Sequence, residues 1–458
     1  MLSAAPVASL DLAALRRREF GRLDAQGQVY LDYGGSALYG ATQVRAHQEL
    51  LERGLFGNPH SDSAPSRAST DAIAEARRRL LAFFDVDAST HEVCFTGNAS
   101  AAIKLVAESY PFSPAAACVL STDNHNSVNG IREYARRSGA AVRYLPLDAA
   151  ADGAHGPSLR LRDPEATLEE LSGRGVRGLL AFPAQSNFSG VRHPLALVER
   201  ARVLGFDVLL DVAAYAPSHP FSLRDCRADF VALSFYKLFG YPTGLGALVA
   251  RREALARLRR PWFAGGTVEY AAVKVDTHRL RPGGEGFEDG TPNFLAVAAL
   301  EPGFALLDAV GLPRLAAHVA GLTRLFLDGA LALRHGNGRP LVRVYGPRDL
   351  RERGGVVAFN VCDAAGRALP YSVFEARARQ AGVAVRGGCF CNPGAAEAAF
   401  GLEAERLAAC FEETGGAFSV ERFAACQGTA VGAVRVSLGL ANNEEDVRRA
   451  LAVVESFL

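Results

Sequence analysis

Short apolar runs alternate with amphipathic helical segments between residues 92 and 250, and this alternation limits the folds open to the chain. The runs are rich in Val, Leu and Ala, which favours buried strands. Such a pattern is typical of a mostly parallel sheet with helices on both faces. We therefore predict an α/β fold, with strands at 92–96, 118–121, 141–145, 178–182, 208–211, 229–233 and 246–250.

Beyond about residue 283 the pattern changes, which indicates a second, smaller unit. The stretch 294–310 is predicted to be a helix that kinks or breaks at Pro302-Gly303. Strands predicted at 341–345, 356–360 and 433–437 indicate an α+β C-terminal unit. We expect three parts: an N-terminal segment 1–35 that packs with the small domain, a large domain 36–305 and a small domain 306–458.

The balance of charge narrows the choice of partners. Charged residues make up 22% of the 458-residue chain, and the formal net charge is +1. We therefore expect a small-molecule partner, with no nucleic acid and no anionic membrane surface. No stretch approaches the ~20 uncharged apolar residues of a membrane span, and the first ten residues lack the basic start of a secretion signal. We expect a cytoplasmic protein.

Eight cysteines are spread along the chain, and only Cys389 and Cys391 lie close together in sequence. In a long chain of cytoplasmic type, this spacing predicts buried thiols and one reactive site, and no disulfide framework. A Cys-x-Cys pair without a nearby histidine or further cysteine is a poor zinc motif. We therefore predict no metal site.

Lys237 is the most distinctive polar residue, because it follows the apolar run 229–233 in a chain with three lysines among 50 basic residues. Burial can lower the pKa of a lysine amine enough for the neutral form to attack an aldehyde, which arginine cannot do. The sequence therefore points to a lysine that forms a Schiff base. An ordinary surface lysine after a strand is the alternative.

Four more polar residues follow predicted strands, and each has two interpretations. Asp211 can pair with a protonated ring nitrogen or cap a loop. Ser100 begins a helix whose free N–H groups can hold a phosphate, although many helices begin with serine. His125 can stack on a flat ring or lie on the surface, and Asn187 can bind a phenolic oxygen or form a turn. Ligands lie at the carboxyl ends of strands in such sheets, so we expect these residues to converge.

Eight motifs along the chain resemble those of one known family. They are GNPHS (57–61), FTGNASAAIKLVAE (95–108), DNHNSV (123–128), PAQSNFSG (183–190), SFYKLFGYPTGLG (234–246), FEDGT (287–291), RGGCFCNPG (386–394) and VRVSLG (434–439). Their types and order resemble the class V aminotransferase family of fold-type I pyridoxal-phosphate enzymes, and within it the cysteine desulfurases. The likeness is closest to the N-terminal, desulfurase-like domain of molybdenum cofactor sulfurases. It implies a seven-stranded sheet and pyridoxal 5′-phosphate as cofactor.

The resemblance also implies where residues meet the cofactor ring. It assigns Lys237 to the covalent bond with the aldehyde, and Asp211 to the pyridine nitrogen. His125 stacks on the ring in this scheme, and Asn187 approaches the ring oxygen. The resemblance implies three catalytic residues, namely Lys237, His125 and Cys391.

The phosphate site is implied in the same way. The backbone of Ala99 and Ser100 is expected to hold the phosphate together with Ser234. Thr291 occupies the position of a threonine that completes the phosphate site of the second subunit. The resemblance therefore implies a homodimer.

Substrate contacts follow from the remaining motifs. Arg435 matches an arginine that binds the substrate carboxylate, a task suited to its forked guanidinium, and His60 and Asn187 are also assigned to the substrate. Cys391 occupies the place of the thiol that attacks the substrate sulfur from a flexible loop. Cys389 is either an assistant or a bystander.

The chain departs from the desulfurase pattern at several positions. Tyr236 stands where many desulfurases have histidine, as it does in molybdenum cofactor sulfurases. Ala214 replaces a glutamine, and alanines at 395–396 replace a further cysteine. We also expect no counterpart of the C-terminal domain with which those sulfurases engage their cofactor, so the acceptor stays open.

The predicted function is that of a pyridoxal-phosphate-dependent cysteine desulfurase. It would convert L-cysteine, or a related sulfur amino acid, to alanine and pass sulfur from a persulfide on Cys391 to an unknown acceptor. The main alternative is a C–S lyase, aminotransferase or epimerase that does not use Cys391. A non-catalytic scaffold is the alternative from another class.

Overall fold

The computed structural model describes residues 11–150 and 155–458. Residues 1–10, on which the expected absence of a secretion signal depends, lie outside these ranges. They also form part of the predicted N-terminal segment 1–35.

The described residues form strands and helices with the following bounds. The strands are β1 (Val29–Tyr30), β2 (His91–Thr96), β3 (Ala116–Ser121), β4 (Ala141–Leu145), β5 (Arg177–Pro183), β6 (Phe206–Asp211), β7 (Phe230–Ser234), β8 (Gly246–Arg251), β9 (Val268–Ala272), β10 (Thr277–Leu280), β11 (Val342–Tyr345), β12 (Val356–Val361), β13 (Val383–Ala384), β14 (Arg386–Gly388) and β15 (Ala433–Ser437). The α-helices are α1 (Leu12–Phe20), α2 (Arg22–Ala25), α3 (Ala41–Arg53), α4 (Ala64–Phe83), α5 (Ala99–Ser109), α6 (Asn126–Asn129), α7 (Ile131–Arg137), α8 (Pro164–Gly173), α9 (Ala196–Val203), α10 (Phe235–Phe239), α11 (Arg252–Leu255), α12 (Phe294–Ala298), α13 (Glu301–Val310), α14 (Leu312–Ala332), α15 (Tyr371–Gln380), α16 (Pro393–Phe400), α17 (Ala404–Thr414), α18 (Val420–Gln427) and α19 (Glu444–Glu455).

The central sheet has seven strands in the order β2-β8-β7-β6-β5-β3-β4. Neighbours pair in parallel, except that β8 is antiparallel to both β2 and β7. All five residues of β7 are buried, as are six of the seven in β5, because helices cover both faces. This confirms the predicted α/β architecture.

A second, antiparallel sheet has the order β11-β12-β15-β14. The start of the described chain lies against this part of the molecule, because β1 pairs in parallel with β13. Arg16 on α1 also donates from Nη1 to Asp446 Oδ2 over 2.5 Å. These contacts bring the residues just after β1 to the edge of the second sheet.

The neighbouring strands β3, β5, β6 and β7 end at one edge of the central sheet, since all four run in the same direction. His125 follows β3 and Asn187 follows β5. Asp211 and Ser234 are the last residues of β6 and β7. The predicted convergence of polar residues at this edge is therefore confirmed.

The helix predicted over 294–310 is broken, but the prediction of a break at Pro302 is wrong. Helix α12 ends at Ala298 and α13 begins at Glu301, so Pro302 lies in the first turn of α13. Proline is accepted there because the first N–H groups of a helix have no acceptor within it. The break therefore precedes the proline.

Four cysteines are buried thiols as predicted, namely Cys94, Cys118, Cys226 and Cys362. The prediction is wrong for Cys410 and Cys426, which form a disulfide between α17 and α18. These helices form a hairpin that brings the two Cα atoms within 5.8 Å, a distance suited to a disulfide. The two cysteines are 16 residues apart in the sequence, and this spacing alone does not predict that they pair.

Within the described ranges, α14 is the one helix whose length and composition would allow it to cross a membrane. Leu315, Val319, Leu322 and Phe326 on this helix are buried in the main apolar core. A core helix of a folded domain meets the same criterion. Packing inside the fold therefore accounts for the apolar face of α14.

Candidate active site

Lys237 lies on α10, which follows β7 without an intervening loop. Phe235, Leu238 and Phe239 of the same helix are buried and fix it against the sheet. Burial lowers the pKa of the Lys237 amine, and the nearby negative charge of Asp211 acts in the opposite direction. The site therefore favours the neutral amine more than water does.

Asp211 is the last residue of β6 and places a carboxylate at the same edge. The N–H of Ala213 donates to its Oδ1 over 2.9 Å. Among the hydrogen bonds of the described chain, this is the one its carboxylate receives. The carboxylate therefore keeps the capacity to accept a further hydrogen bond, such as one from a protonated ring nitrogen.

The first turn of α5 supplies polar groups to the same place. Asn98 caps the helix by accepting the N–H of Ala101 over 3.0 Å, and the N–H of Ala99 donates to Ser234 Oγ over 2.8 Å. The hydroxyls of Ser100 and Ser127 bond to each other. A helix N-terminus with adjacent hydroxyls is suited to bind a phosphate.

His125 caps α6, because its Nδ1 accepts the N–H of Ser127 over 3.1 Å. Burial lowers the pKa of His125, and the positive charge of Lys237 lowers it further. The ring is therefore mostly neutral at neutral pH. A neutral, flat ring at this position is suited to stack on a planar ligand.

Seven of the predicted residues line one cavity of about 110 Å³. They are Ala99, Ser100, His125, Asn187, Asp211, Ser234 and Lys237. The cavity thus holds an amine for an aldehyde, a carboxylate for a ring nitrogen, and hydroxyl and N–H groups for a phosphate. This donor set fits pyridoxal phosphate.

Arg435 lies on β15 and is 2% exposed. Its Nη2 donates to Asp32 Oδ1 over 2.9 Å, and its Nη1 donates to the carbonyl of Asn187 over 3.0 Å. Arg386 also donates to the Asp32 carboxylate, from Nε over 2.9 Å and from Nη2 over 2.6 Å. Two guanidinium groups therefore share one carboxylate beside the cavity wall.

Cys391 is exposed and lies between β14 and α16, in a segment held against the large sheet. Its carbonyl accepts the N–H of Asn126, and the carbonyl of Phe390 accepts the side-chain amide of Asn187, each over 2.7 Å. Both Phe390 and Cys391 have a φ of +56°. This left-handed backbone conformation costs on the order of 1 kcal/mol or more for each residue that is not glycine. The docking bonds hold this strained backbone in place.

The thiol of Cys391 lies within electrostatic reach of two cations. Its negative form raises the pKa of Lys237 and of Arg386, although neither effect is the largest on its group. Cys389 differs, because it is half-buried at the edge of an apolar cluster that includes Phe188. The geometry therefore presents Cys391, and not Cys389, as the available thiol.

Two predicted residues lie away from this cavity. His60 is exposed, and its ring lies against Gly266. Thr291 is exposed and lines a separate cavity with Gly97 and Gly244. The roles of His60 at the substrate and of Thr291 at a second subunit's phosphate stay predictions.

Several residues at the site were not predicted from the sequence to have a role there. Asp32 binds Arg435, whereas Asp123 and Asn392 join the Cys391 segment to the large sheet. Gln185 lines the cavity and donates to the carbonyl of Ala214 over 2.9 Å. Asp123 and Asn392 lie inside the motifs that contain His125 and Cys391. Their place in these motifs was the one sequence signal that pointed to a role at the site.

Residues 11–150 and 155–458 contain no group of three or more His, Cys, Asp or Glu placed to hold a metal ion. The fold and the cavity together are those of a fold-type I pyridoxal-phosphate enzyme. The family model for class-V aminotransferases matches residues 29–450. The chain belongs to this family, which confirms the predicted family and fold class.

Curated relatives are similar along almost the whole chain. The molybdenum cofactor sulfurase of Arabidopsis thaliana is 36% identical over 479 aligned positions, and the match covers 98% of this chain and 58% of that protein. The human molybdenum cofactor sulfurase is 34% identical, with coverage of 97% and 51%. The chain thus spans little more than half the length of these two relatives.

Among solved structures, the apo cysteine desulfurase of Thermococcus onnurineus has a similar fold. Its TM-score is 0.78 at 24% identity, and the match covers 100% of this chain and 99% of that one. At this identity, the likeness shows the fold alone.

Proposed function

We propose that this protein is a pyridoxal-phosphate-dependent cysteine desulfurase. The observation that carries the proposal is the docking of the Cys391 segment onto the wall of the cavity that contains Lys237. Asn187 lines that cavity and binds the Phe390 carbonyl, so the residue next to Cys391 is fixed to the wall of the cavity that contains Lys237. The similarity to molybdenum cofactor sulfurases supports the same reaction.

Pyridoxal phosphate, when bound, supplies an aldehyde and an electron-withdrawing ring. Lys237 would hold the aldehyde, and its neutral Nζ, once free of it, would take the α-proton of the substrate amino acid. Asp211 would keep a proton on the ring nitrogen. His125 would stack on the ring, and its lowered pKa keeps an unprotonated Nδ1 available for its cap hydrogen bond.

Arg435 binds the substrate carboxylate in this proposal. Its guanidinium is buried and meets Asp32, so the site already accommodates one carboxylate between Arg435 and Arg386. An incoming carboxylate therefore competes with Asp32 or joins it.

The sulfur transfer takes place at Sγ of Cys391. The Cys391 thiolate forms an S–S bond with the substrate sulfur, and the bond between that sulfur and Cβ breaks. The electron pair stays with the carbon skeleton, which takes up a proton at Cβ, regains the α-proton from Lys237 and leaves as alanine. Cys391 then carries a persulfide for an acceptor that we leave unassigned.

The alternative is a C–S lyase, aminotransferase or epimerase that uses Lys237 and Asp211 but not Cys391. A lyase releases pyruvate, ammonia and sulfide, whereas a desulfurase releases alanine. A scaffold without activity would bind no pyridoxal phosphate. The docking of the Cys391 segment onto the wall of this cavity favours the desulfurase, since the other reactions do not need that thiol.

The test compares wild type with Cys391→Ser in the presence of pyridoxal phosphate and L-cysteine. We expect the wild type to form alanine, and the variant to bind the cofactor equally well but form alanine at less than about one hundredth of that rate. Cys389→Ser is the matched control, and it should keep most of the activity. Equal alanine formation by Cys391→Ser would refute the proposal, and pyruvate as the main product would favour a lyase.

We further propose a homodimer in the cytoplasm. The homodimer is supported by Thr291, which is exposed and lies outside its own chain's cavity. Complementation tests it, because a mixture of Lys237→Ala and Thr291→Ala chains should regain activity if one subunit completes the other's phosphate site. Cell fractionation tests the location.

A further inference from the structure

Asn392 follows Cys391 and uses every polar atom of its side chain. Its Oδ1 accepts the N–H of Ala395 over 3.2 Å and so caps α16. Its Nδ2 donates to Asp123 Oδ1 over 2.6 Å and to Asn187 Oδ1 over 3.0 Å. The side chain is fully buried. One amide therefore joins the start of α16 to two segments of the large sheet.

Asp123 is the anchor for this amide. It follows β3, is fully buried, and accepts hydrogen bonds from Ser186 Oγ and His193 Nε2, each over 2.8 Å. Neither Asp123 nor Asn392 lines the cavity. Their contacts therefore place the Cys391 segment and do not touch the reacting atoms.

Asn187 connects the anchor to the cavity. It accepts from Asn392 and donates to the carbonyl of Phe390, while the next carbonyl, that of Cys391, accepts from Asn126. These bonds fall on the two residues whose φ is +56°. The backbone on either side of Cys391 is thus fixed by the large sheet.

We propose that Asn392 is a positioning residue that holds the Cys391 segment against the cofactor cavity through Asp123 and Asn187. It thereby sets how often Cys391 Sγ meets the substrate sulfur. An asparagine is required because the position needs an acceptor towards α16 and a donor towards Asp123. The catalytic part of this proposal rests on the proposed desulfurase function, whereas the docking part does not.

Asn392→Asp separates the two tasks of the side chain. Aspartate caps a helix as well as asparagine does, but it cannot donate, and it places a second carboxylate against Asp123. Asn443→Asp is the matched control, since Asn443 caps α19 in the same way. If Asn392→Asp fails to fold, Asn392→Ser keeps a capping oxygen and removes the Nδ2 group that reaches Asp123, without adding charge.

The first readout is hydrogen–deuterium exchange of the peptide around 388–392, in protein with and without pyridoxal phosphate. We expect exchange about tenfold faster in Asn392→Asp and no change in Asn443→Asp. Unchanged exchange in Asn392→Asp overturns the proposal.

The second readout is the rate of persulfide formation on Cys391. We expect it to fall ten- to a hundredfold in Asn392→Asp, with little change in the KM for L-cysteine or in cofactor affinity. Faster exchange with an unchanged persulfide rate overturns the positioning role. If the wild type forms no persulfide, the desulfurase proposal fails, and the exchange data alone decide whether Asn392 holds the segment.

Discussion

Nη2 of Arg435 lies 2.9 Å from Oδ1 of Asp32, and both residues are buried. Removing one member of a buried ion pair leaves the other charge without compensation. We therefore expect Asp32→Asn to lower the free energy of unfolding by about 3 kcal/mol, as measured by urea denaturation. Arg386 loses its main partner in the same variant.

A surface pair provides the control for that measurement. Asp62 binds Arg67 with both side chains exposed, so Asp62→Asn should leave the unfolding curve unchanged. If Asp32→Asn is as stable as Asp62→Asn, the charge of Arg435 is compensated by other groups and the importance of the Asp32 contact is refuted.

Lys237 should be the single site of cofactor attachment. Burial lowers the pKa of its amine, so more of it is neutral at pH 7 than of an exposed lysine. Borohydride reduction of the cofactor-loaded protein, followed by peptide mass spectrometry, should find the pyridoxyl group on Lys237. Lys237→Arg keeps the charge and should show no label. A label on Lys104 or Lys274 in the wild type would contradict the assignment.

His219 should make the fold sensitive to acid. It is buried, stacks on Tyr215 with ring centroids 4.8 Å apart, and has a pKa lowered by burial to about 4. Between pH 6.5 and 4, His219 binds a proton in the unfolded chain but stays neutral in the folded chain. The free energy of unfolding therefore falls as the pH falls. At ~1.4 kcal/mol per pKa unit, the loss contributed by His219 is about 2 kcal/mol by pH 5.

Urea denaturation at pH 7 and pH 5 measures this effect. His219→Gln removes the titrating group and should lose about 2 kcal/mol less than the wild type over this interval. His278→Gln, at an exposed histidine, is the control and should follow the wild type. An equal loss in the wild type and His219→Gln would show that His219 does not bind this proton.

Much of the large domain could be predicted because each element follows from its own local sequence. The apolar run that forms β7 is buried on both faces, and so the sequence placed Lys237 at the edge where ligands bind. Asp211, at the end of β6, follows from the same argument. Residues at the ends of neighbouring parallel strands lie close together, so their convergence can be predicted once the strands are recognised.

The contacts between distant segments could not be predicted in this way. Arg435 and Asp32 are 403 positions apart, and they meet because β1 pairs with β13. The contact of Asn392 with Asp123 depends on how the small sheet lies against the large one. The disulfide between Cys410 and Cys426 depends on a helical hairpin. None of these relationships leaves a periodic pattern in the sequence.

The most direct test of the proposed function is the location of sulfur after a single turnover. The cofactor-loaded protein is mixed with one equivalent of L-cysteine, and the peptide that contains residues 386–394 is analysed by mass spectrometry. We predict one added sulfur atom on Cys391, in the wild type and in Cys389→Ser, and none in Cys391→Ser. Sulfur found on Cys389 in the wild type, or alanine formed without any sulfur on Cys391, would contradict the account.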